Sequence, residues 1–347
     1  MKALYRKYRP LRLDDVVGQE QIVTPLANSI KQNKISHAYL FTGPRGTGKT
    51  SVARIFAHEV NGFEYKLEDD YVDIVEIDGA SNRGIDDIRE IREKAAIKPT
   101  LGKYKVYIID EVHMLTKEAF NALLKTLEEP PEHVIFIMAT TDLHKVPATI
   151  LSRAQVYNFK LASKELVFSH LERICESENI DIEPEALEIL IRRGGGSFRD
   201  TLSLLDQIST LSENKITHKM IEQAMGLPED AKIIDLLQAY QNGDTDKITI
   251  LLKDLFSAGV RAEVIAGELI SAIIENPIPQ VLGLLSKLPD IREPFAEARL
   301  VAALINESSA VKSAVKNTEI KEKPSVESKI SAIMGGEVQN YGGGNPF

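Results

Sequence analysis

Eight consecutive residues, Gly43, Pro44, Arg45, Gly46, Thr47, Gly48, Lys49 and Thr50, match the pattern G-x-x-x-x-G-K-[ST] in full. An apolar run, His37–Thr42 (HAYLFT), ends where the motif begins, and a helical pattern over Ser51–Val60 follows it. Three glycines let the backbone wrap so that its N–H groups converge on an anion. The helix N-terminus adds partial positive charge. The motif therefore predicts a phosphate-binding loop, with Lys49 at the β- and γ-phosphates and the Thr50 hydroxyl on Mg²⁺. A strand–loop–helix unit of this kind belongs to a parallel α/β sheet.

The surrounding pattern agrees. Val72–Asp78 (VDIVEID), Val106–Asp110 (VYIID) and Val134–Thr141 (VIFIMATT) are short, nearly continuous apolar runs rich in β-branched residues. Strands buried on both faces read this way. Helical periodicity over Ile85–Ala96 and Lys117–Leu127 separates them, which predicts a doubly wound α/β core over residues 1–161. From Ser163 the strand signal stops. Helical patterns at Ser163–Glu178, Pro184–Arg193, Phe198–Leu211 and Thr217–Met225 predict a small all-helical domain, 162–226. Beyond a break at Gly226–Pro228, patterns at Glu229–Gln241, Thr245–Ser257, Arg261–Glu275 and Glu293–Lys316 predict a second helical domain, 227–315. Residues 316–347 read as a largely disordered tail. Its apolar cluster, Ile330–Met334, is either a short docking helix or part of an inert terminus.

A phosphate loop needs a second, acidic strand. In Val106–Asp110 four apolar residues bury the chain and Asp110 emerges at the end, placed for Mg²⁺; Glu111 follows, placed to polarise an attacking water. The next strand ends in two threonines, whose hydroxyl can sit between the carboxylates and the γ-phosphate. Arg153, in Ile-Leu-Ser-Arg, and Arg199, in Gly-Gly-Gly-Ser-Phe-Arg-Asp, each read alone as a surface or capping arginine.

Composition sets limits. The 347 residues carry a formal charge of −9, which argues against a chain held to nucleic acid by bulk charge and leaves room for a local basic patch. A single cysteine, Cys175, excludes an internal disulfide and a multi-cysteine zinc site. No segment reaches the ~18 apolar residues of a membrane span. The basic start, MKALYRKYRPLR, has no apolar stretch after it, so the expected location is the cytoplasm.

Taken together, the motifs identify relatives. Tyr5-Arg-Lys-Tyr-Arg-Pro10, Asp14-Asp-Val-Val-Gly-Gln19, Gly43–Thr50, Asp110-Glu-Val-His113, Ala139-Thr-Thr-Asp142, Ser152-Arg153 and Gly196-Ser-Phe-Arg199-Asp resemble AAA+ clamp-loader ATPases. Asn121-Ala-Leu-Leu-Lys-Thr-Leu-Glu-Glu-Pro-Pro131 and Ala80-Ser-Asn-Arg-Gly-Ile-Asp-Asp-Ile-Arg89 are similar, more narrowly, to the bacterial gamma/tau family of DNA polymerase III. The resemblance implies an AAA+ core, a helical lid and a helical oligomerisation collar. It implies an ATPase that opens a sliding clamp and loads it on primed DNA within a polymerase holoenzyme. The partners it implies are other clamp-loader subunits in a pentameric spiral, the clamp and primer–template DNA, with no membrane. Val17 and Gly18 would lie near the adenine. Thr141 matches the family's sensor on the fourth strand, Arg153 the finger that reaches a neighbour's ATP, and Arg199 the lid sensor acting in cis.

The chain departs from the family where a four-cysteine zinc module usually sits. Only Gly62–Val72 fill that place, so no zinc is expected. Ala154 stands where the family has cysteine after Ser152-Arg153. The chain stops soon after the collar, as in a short gamma-like form. Ser81, Asn82 and Arg83, with Gly84, open a helix and either present N–H groups and a guanidinium to a DNA phosphate or form a solvated cap. Lys98, Thr100 and Lys103 lie on a loop that would assist. Two other classes compete: another AAA+ DNA motor, such as a branch-migration helicase, and a non-catalytic scaffold subunit. The intact Gly43–Thr50, Asp110 and Glu111 argue against the scaffold, and the lack of a strand-bearing winged-helix pattern after Gly226 argues against the helicase.

Overall fold

A computed structural model describes residues 2–67, 71–211 and 215–306. The chain divides into two compact units that part between His218 and Lys219.

The first unit opens with a short helix, α1 (Leu4–Lys7), and then α2 (Glu20–Lys31). Strand β1 (Ala38–Thr42), helix α3 (Lys49–Asn61), strand β2 (Ile74–Asp78), helix α4 (Ile85–Ala95) and strand β3 (Lys105–Asp110) follow. Then come α5 (Lys117–Glu128), β4 (Val134–Thr140), α6 (Ala148–Leu151) and β5 (Gln155–Asn158). The strands form one parallel sheet in the order β2-β3-β4-β1-β5. Side chains alternate across each strand. Leu40, Tyr107, Ile109, Phe136 and Met138 therefore pack with Ile88, Ile91, Phe120 and Leu123 of α4 and α5. Tyr39, Phe41, Val106, Ile108 and Ile137 pack with Ile22, Leu26, Val52, Ile55 and Phe56 of α2 and α3 on the opposite face. Every residue of β1 and β4 is buried, which is why the sequence there is apolar without alternation.

β5 is the element that sequence reading misses. Its four residues, QVYN, sit at the sheet edge beside β1 and stay largely exposed, so they carry no apolar run. Arg153 lies between β4 and β5. Past Gly62, which caps α3 in the left-handed region, Phe63 stacks on Tyr71 with ring centres 4.5 Å apart, and Tyr65 and Tyr71 both meet His58.

Three helices complete the unit: α7 (Lys164–Glu178), α8 (Pro184–Gly194) and α9 (Phe198–Ser209). Ser163 caps α7 by accepting the Leu166 amide, and Ser197 caps α9 by accepting that of Asp200. Cys175 is buried in α7, and burial pushes its thiol up to about 11. Helix α10 (His218–Met225) begins at the unit boundary.

The second unit is helical throughout its described residues. Helices α11 (Asp230–Gln241), α12 (Thr245–Ser257) and α13 (Ala262–Glu275), two 3-10 segments at Pro279–Ser286 and Leu288–Asp290, and a helix over 296–306 share one apolar core. Leu236, Leu252, Leu269, Leu284 and Leu300 lie at its centre. The sequence pattern shows the three long helices but not the 3-10 segments, which are too short for a periodic signal. The end of the expected last helix and the whole tail, Ile330–Met334 included, lie outside the described residues.

Candidate nucleotide site

The sheet order decides the site. β1, which feeds the Gly43–Thr50 loop, and β3, which ends in Asp110, flank β4. The threonines at the end of β4 thus fall between the loop and the carboxylates.

The loop wraps as its glycines require. Gly43, Gly46 and Gly48 all have positive φ, at 140°, 76° and 96°. At Gly46 a side chain is doubly excluded, because a Cβ would come within 1.9 Å of the Ser197 hydroxyl at the start of α9. Lys49 Nζ donates to the carbonyls of Gly43 and Pro44, at 2.8 Å each. Burial pushes its pKa below the ordinary lysine value, against the pull of the Glu111 and Asp110 charges. Thr50 Oγ1 donates to Asp110 Oδ2 at 2.7 Å. A hydroxyl and a carboxylate oxygen held together at the start of a helix are the hard oxygen donors that suit Mg²⁺.

Glu111 stands at the mouth of the loop in an unusual backbone state, φ 46° and ψ 46°. Its Oε2 accepts the Thr141 hydroxyl at 2.9 Å and the Thr141 amide at 3.3 Å. The structure thus brings together Lys49, Thr50, Asp110, Glu111 and Thr141, which are scattered over 93 positions from Lys49 to Thr141 counted inclusively.

A cleft of about 320 Å³ extends from this cluster. Arg45 to Ser51, Asp110 and Glu111 form one side. The other side comes from the N-terminal segment (Tyr5, Tyr8, Arg9, Pro10), from Val16 and Val17, and from His170, Phe198, Arg199 and Leu202 of α7 and α9. Burial pushes the His170 pKa below its ordinary value, and Arg173 adds to the effect. The N-terminal segment is tied to α7 at Glu178, which accepts from Tyr8 and pairs with Lys7 at 2.6 Å. Sequence reading did not place Tyr5, Tyr8, Arg9, His170, Phe198 or Leu202 in the site. The Tyr5–Pro10 motif was the available signal. Val17 lines the cleft, whereas Gly18 (φ 75°) backs onto α7, where a Cβ would come within 2.8 Å of Leu166.

The two arginines part company. Arg199 lines the cleft, with its guanidinium 5.4 Å from the centre of the Tyr5 ring. Arg153 is outside the cleft lining. It donates to the Thr149 carbonyl and the Ser152 hydroxyl at 2.9 and 3.0 Å, and to Glu128 at 2.8 Å.

At Ser81–Arg83 the expectation needs correcting. Helix α4 starts at Ile85, and the three residues form the turn before it. The Ser81 and Asn82 amides already donate to the Asp78 carbonyl, and the Ser81 hydroxyl to the Asp78 carboxylate. Those N–H groups are therefore spent, and the exposed Arg83 side chain remains as the DNA candidate. The loop with Lys98, Thr100 and Lys103 is fixed by buried Asp73, which accepts the amides of Thr100, Leu101 and Gly102 at 2.8, 2.6 and 2.8 Å. Burial raises the pKa of Asp73, and these bonds outweigh it, so its carboxyl sits below the usual range.

A parallel sheet, a glycine-rich phosphate loop with an acidic strand, and a following helical lid define a P-loop ATPase fold of the AAA+ class. Sequence comparisons narrow this. A family model described as DNA polymerase III, delta subunit, matches residues 18–163, and one described as DNA polymerase III clamp loader subunit, ATPase lid domain, matches 166–213. The chain is 40% identical over 309 residues to the tau/gamma subunit of DNA polymerase III from Haemophilus influenzae, covering 85% of this chain and 45% of that protein. It is 50% identical over 225 residues to the tau subunit from Bacillus subtilis, covering 61% and 40%. It is 37% identical to the gamma subunit from Buchnera aphidicola, covering 77% of this chain and 78% of that protein. The chain belongs to the bacterial DNA polymerase III gamma/tau family. It spans less than half the length of the Haemophilus and Bacillus relatives. A Thermotoga maritima RuvB Holliday junction branch migration motor superposes with a TM-score of 0.51 at 21% identity, covering 76% of this chain and 91% of that one. That likeness shows a shared fold, and the sequence relatives do not favour a branch-migration motor. Among the described residues no helix is long and apolar enough to cross a membrane.

Proposed function

We propose that the chain is the ATP-driven motor subunit of a bacterial clamp loader. It hydrolyses ATP to open a sliding clamp and place it on primer–template DNA in the cytoplasm, assembled with other loader subunits in a pentameric spiral. In this reading residues 1–161 are the motor core, 162–226 the lid and 227–315 the oligomerisation collar.

One observation carries the reading. The Thr50–Asp110 and Thr141–Glu111 hydrogen bonds converge at the mouth of a phosphate loop whose cleft is lined on its far side by Arg199. Gly43 to Thr50 hold the triphosphate, Val17 lies beside the base, and Lys49 leaves the Gly43 and Pro44 carbonyls for the β- and γ-phosphates. Thr50 and Asp110 hold Mg²⁺, which offsets phosphate charge when bound. Glu111 orients a water and takes its proton as the water oxygen bonds to the γ-phosphorus. The bond from that phosphorus to the β–γ bridging oxygen breaks, giving ADP and phosphate. Thr141 senses the γ-phosphate. Arg199 contacts the triphosphate of its own chain, and Arg153 that of a neighbouring subunit. Lid angle and subunit contact are thereby tied to nucleotide state.

ATPase rates measured with and without primed DNA and sliding clamp test the proposal. Stimulation by DNA plus clamp is expected. A closed hexamer by native mass measurement, with no response to clamp, would sink it.

A further inference from the structure

His113 follows Glu111 by two residues, on the 3-10 turn Val112–Met114 that leaves β3. Its side chain is only 10% exposed. Nδ1 lies 3.0 Å from the Thr140 hydroxyl oxygen and 3.3 Å from Oε2 of Glu111. Thr140, at the end of β4, is fully buried. Its hydroxyl also lies 3.1 Å from the Asp142 carbonyl oxygen and accepts the Asp142 amide at 3.0 Å.

Donor arithmetic fixes the proton. A hydroxyl has one proton and two lone pairs. The Asp142 carbonyl can only accept, so the Thr140 proton goes there. The Asp142 amide takes one lone pair, and the other faces His113. Nδ1 must therefore bring its own hydrogen. Glu111 gives the same answer independently: a carboxylate oxygen 3.3 Å from a bare ring nitrogen would set lone pair against lone pair, whereas an N–H there attracts it.

We infer that His113 is a positioning residue for Glu111: its Nδ1–H donates to the Thr140 hydroxyl and sets its positive edge 3.3 Å from Glu111 Oε2. Thr141 supplies that same oxygen with its hydroxyl and its amide. The two Thr141 donors, with the Nδ1–H of His113 beside them, thus fix Oε2, and Oε1 is left for the attacking water. The backbone of Glu111 supports this. A non-glycine residue at φ 46° persists only where its surroundings over-determine it. Thr140 joins the sheet to His113, so the carboxylate is anchored through Thr140, the last residue of β4, and Thr141, which follows it.

The inference rests on the reading of Glu111 as the group that orients water. ATP hydrolysis and ATP binding are measured for the full chain assembled with its partner subunits, DNA and clamp. Glu111→Gln should abolish turnover while keeping ATP bound. His113→Ala should lower kcat roughly tenfold to hundredfold, the scale of a misplaced catalytic group, with KM for ATP unchanged. His113→Asn, which sets an N–H close to the place of Nδ1, should recover most of that loss. His113→Leu, which fills the ring's space without a donor, should not, and it carries the comparison if the alanine variant fails to fold. Wild-type kcat in His113→Ala or His113→Leu, equal rates for His113→Asn and His113→Leu, or a loss confined to KM would overturn the inference and leave the Glu111 reading standing. Turnover by Glu111→Gln would sink both.

Discussion

Arg153 and Arg199 are both candidates for the phosphate charge, and the fold treats them in opposite ways. Arg199 is presented to the cleft of its own chain by the first turn of α9, over the face of Tyr5. Arg153 is held outside the cleft at the end of α6 by Glu128, Thr149 and Ser152. An arginine in its own cleft can report on one nucleotide only. One held on the outside is free to serve a site built by two chains. The contrast separates sensing within a subunit from communication between subunits.

The largest effect removes the nucleotide that both arginines need. Lys49→Ala should abolish ATP binding, measured by equilibrium titration, and with it all turnover. Wild-type affinity in this variant would mean that the loop is not the nucleotide site, and the comparison would lose its object.

Arg153→Ala comes next. Loss of a finger arginine should cut hydrolysis by roughly 10³–10⁵ and leave the Kd for ATP unchanged. Assembly of Arg153→Ala chains with Lys49→Ala chains decides where it acts. The first keeps a working loop, the second a working finger, so a finger acting between chains should restore part of the activity. If Arg153→Ala instead weakens ATP binding, the residue serves its own site and the contrast collapses.

Arg199→Ala should have a smaller effect, roughly tenfold to hundredfold on ATP affinity, in line with one charged hydrogen bond of roughly 1.5–3 kcal/mol. Its activity should stay low when it is mixed with Lys49→Ala chains, since an arginine acting in cis cannot be lent. Rescue by mixing would place both arginines between subunits.

The same contrast explains how much of the molecule was legible in the sequence. Loop, acidic strand and sensor strand could be read because each is a local pattern with its own chemistry: glycines with Lys49, a buried strand ending in Asp110 and Glu111, an apolar run ending at Thr141. The far wall of the cleft could not. Tyr5, His170 and Phe198 come from α1, α7 and α9, and only folding brings them together. Polar, exposed β5 escaped for lack of an apolar run. The part of His113 escaped because it lies in a proton count among Thr140, Asp142 and Glu111 that no motif encodes. At Ser81–Arg83 the sequence offers free amides, but Asp78 has already taken two of them.

The smallest expected effect concerns DNA rather than ATP. Arg83 and Arg89 flank the first turn of α4, but Arg89 pairs with Asp86 at 2.9 Å, whereas Arg83 sits on the turn whose amides Asp78 has claimed. Each phosphate neutralised adds about 0.9 to the log–log slope of affinity against salt. Arg83→Ala should therefore lower the slope for primed DNA by about 0.9 per DNA-contacting copy of the chain, and Arg89→Ala should leave it near the wild-type value. Because the chain as a whole is acidic, at −9, general attraction cannot mask the loss of one contact. An unchanged slope in Arg83→Ala would remove this turn from the DNA path and leave the loop fixed by Asp73, with Lys98 and Lys103, as the place to look.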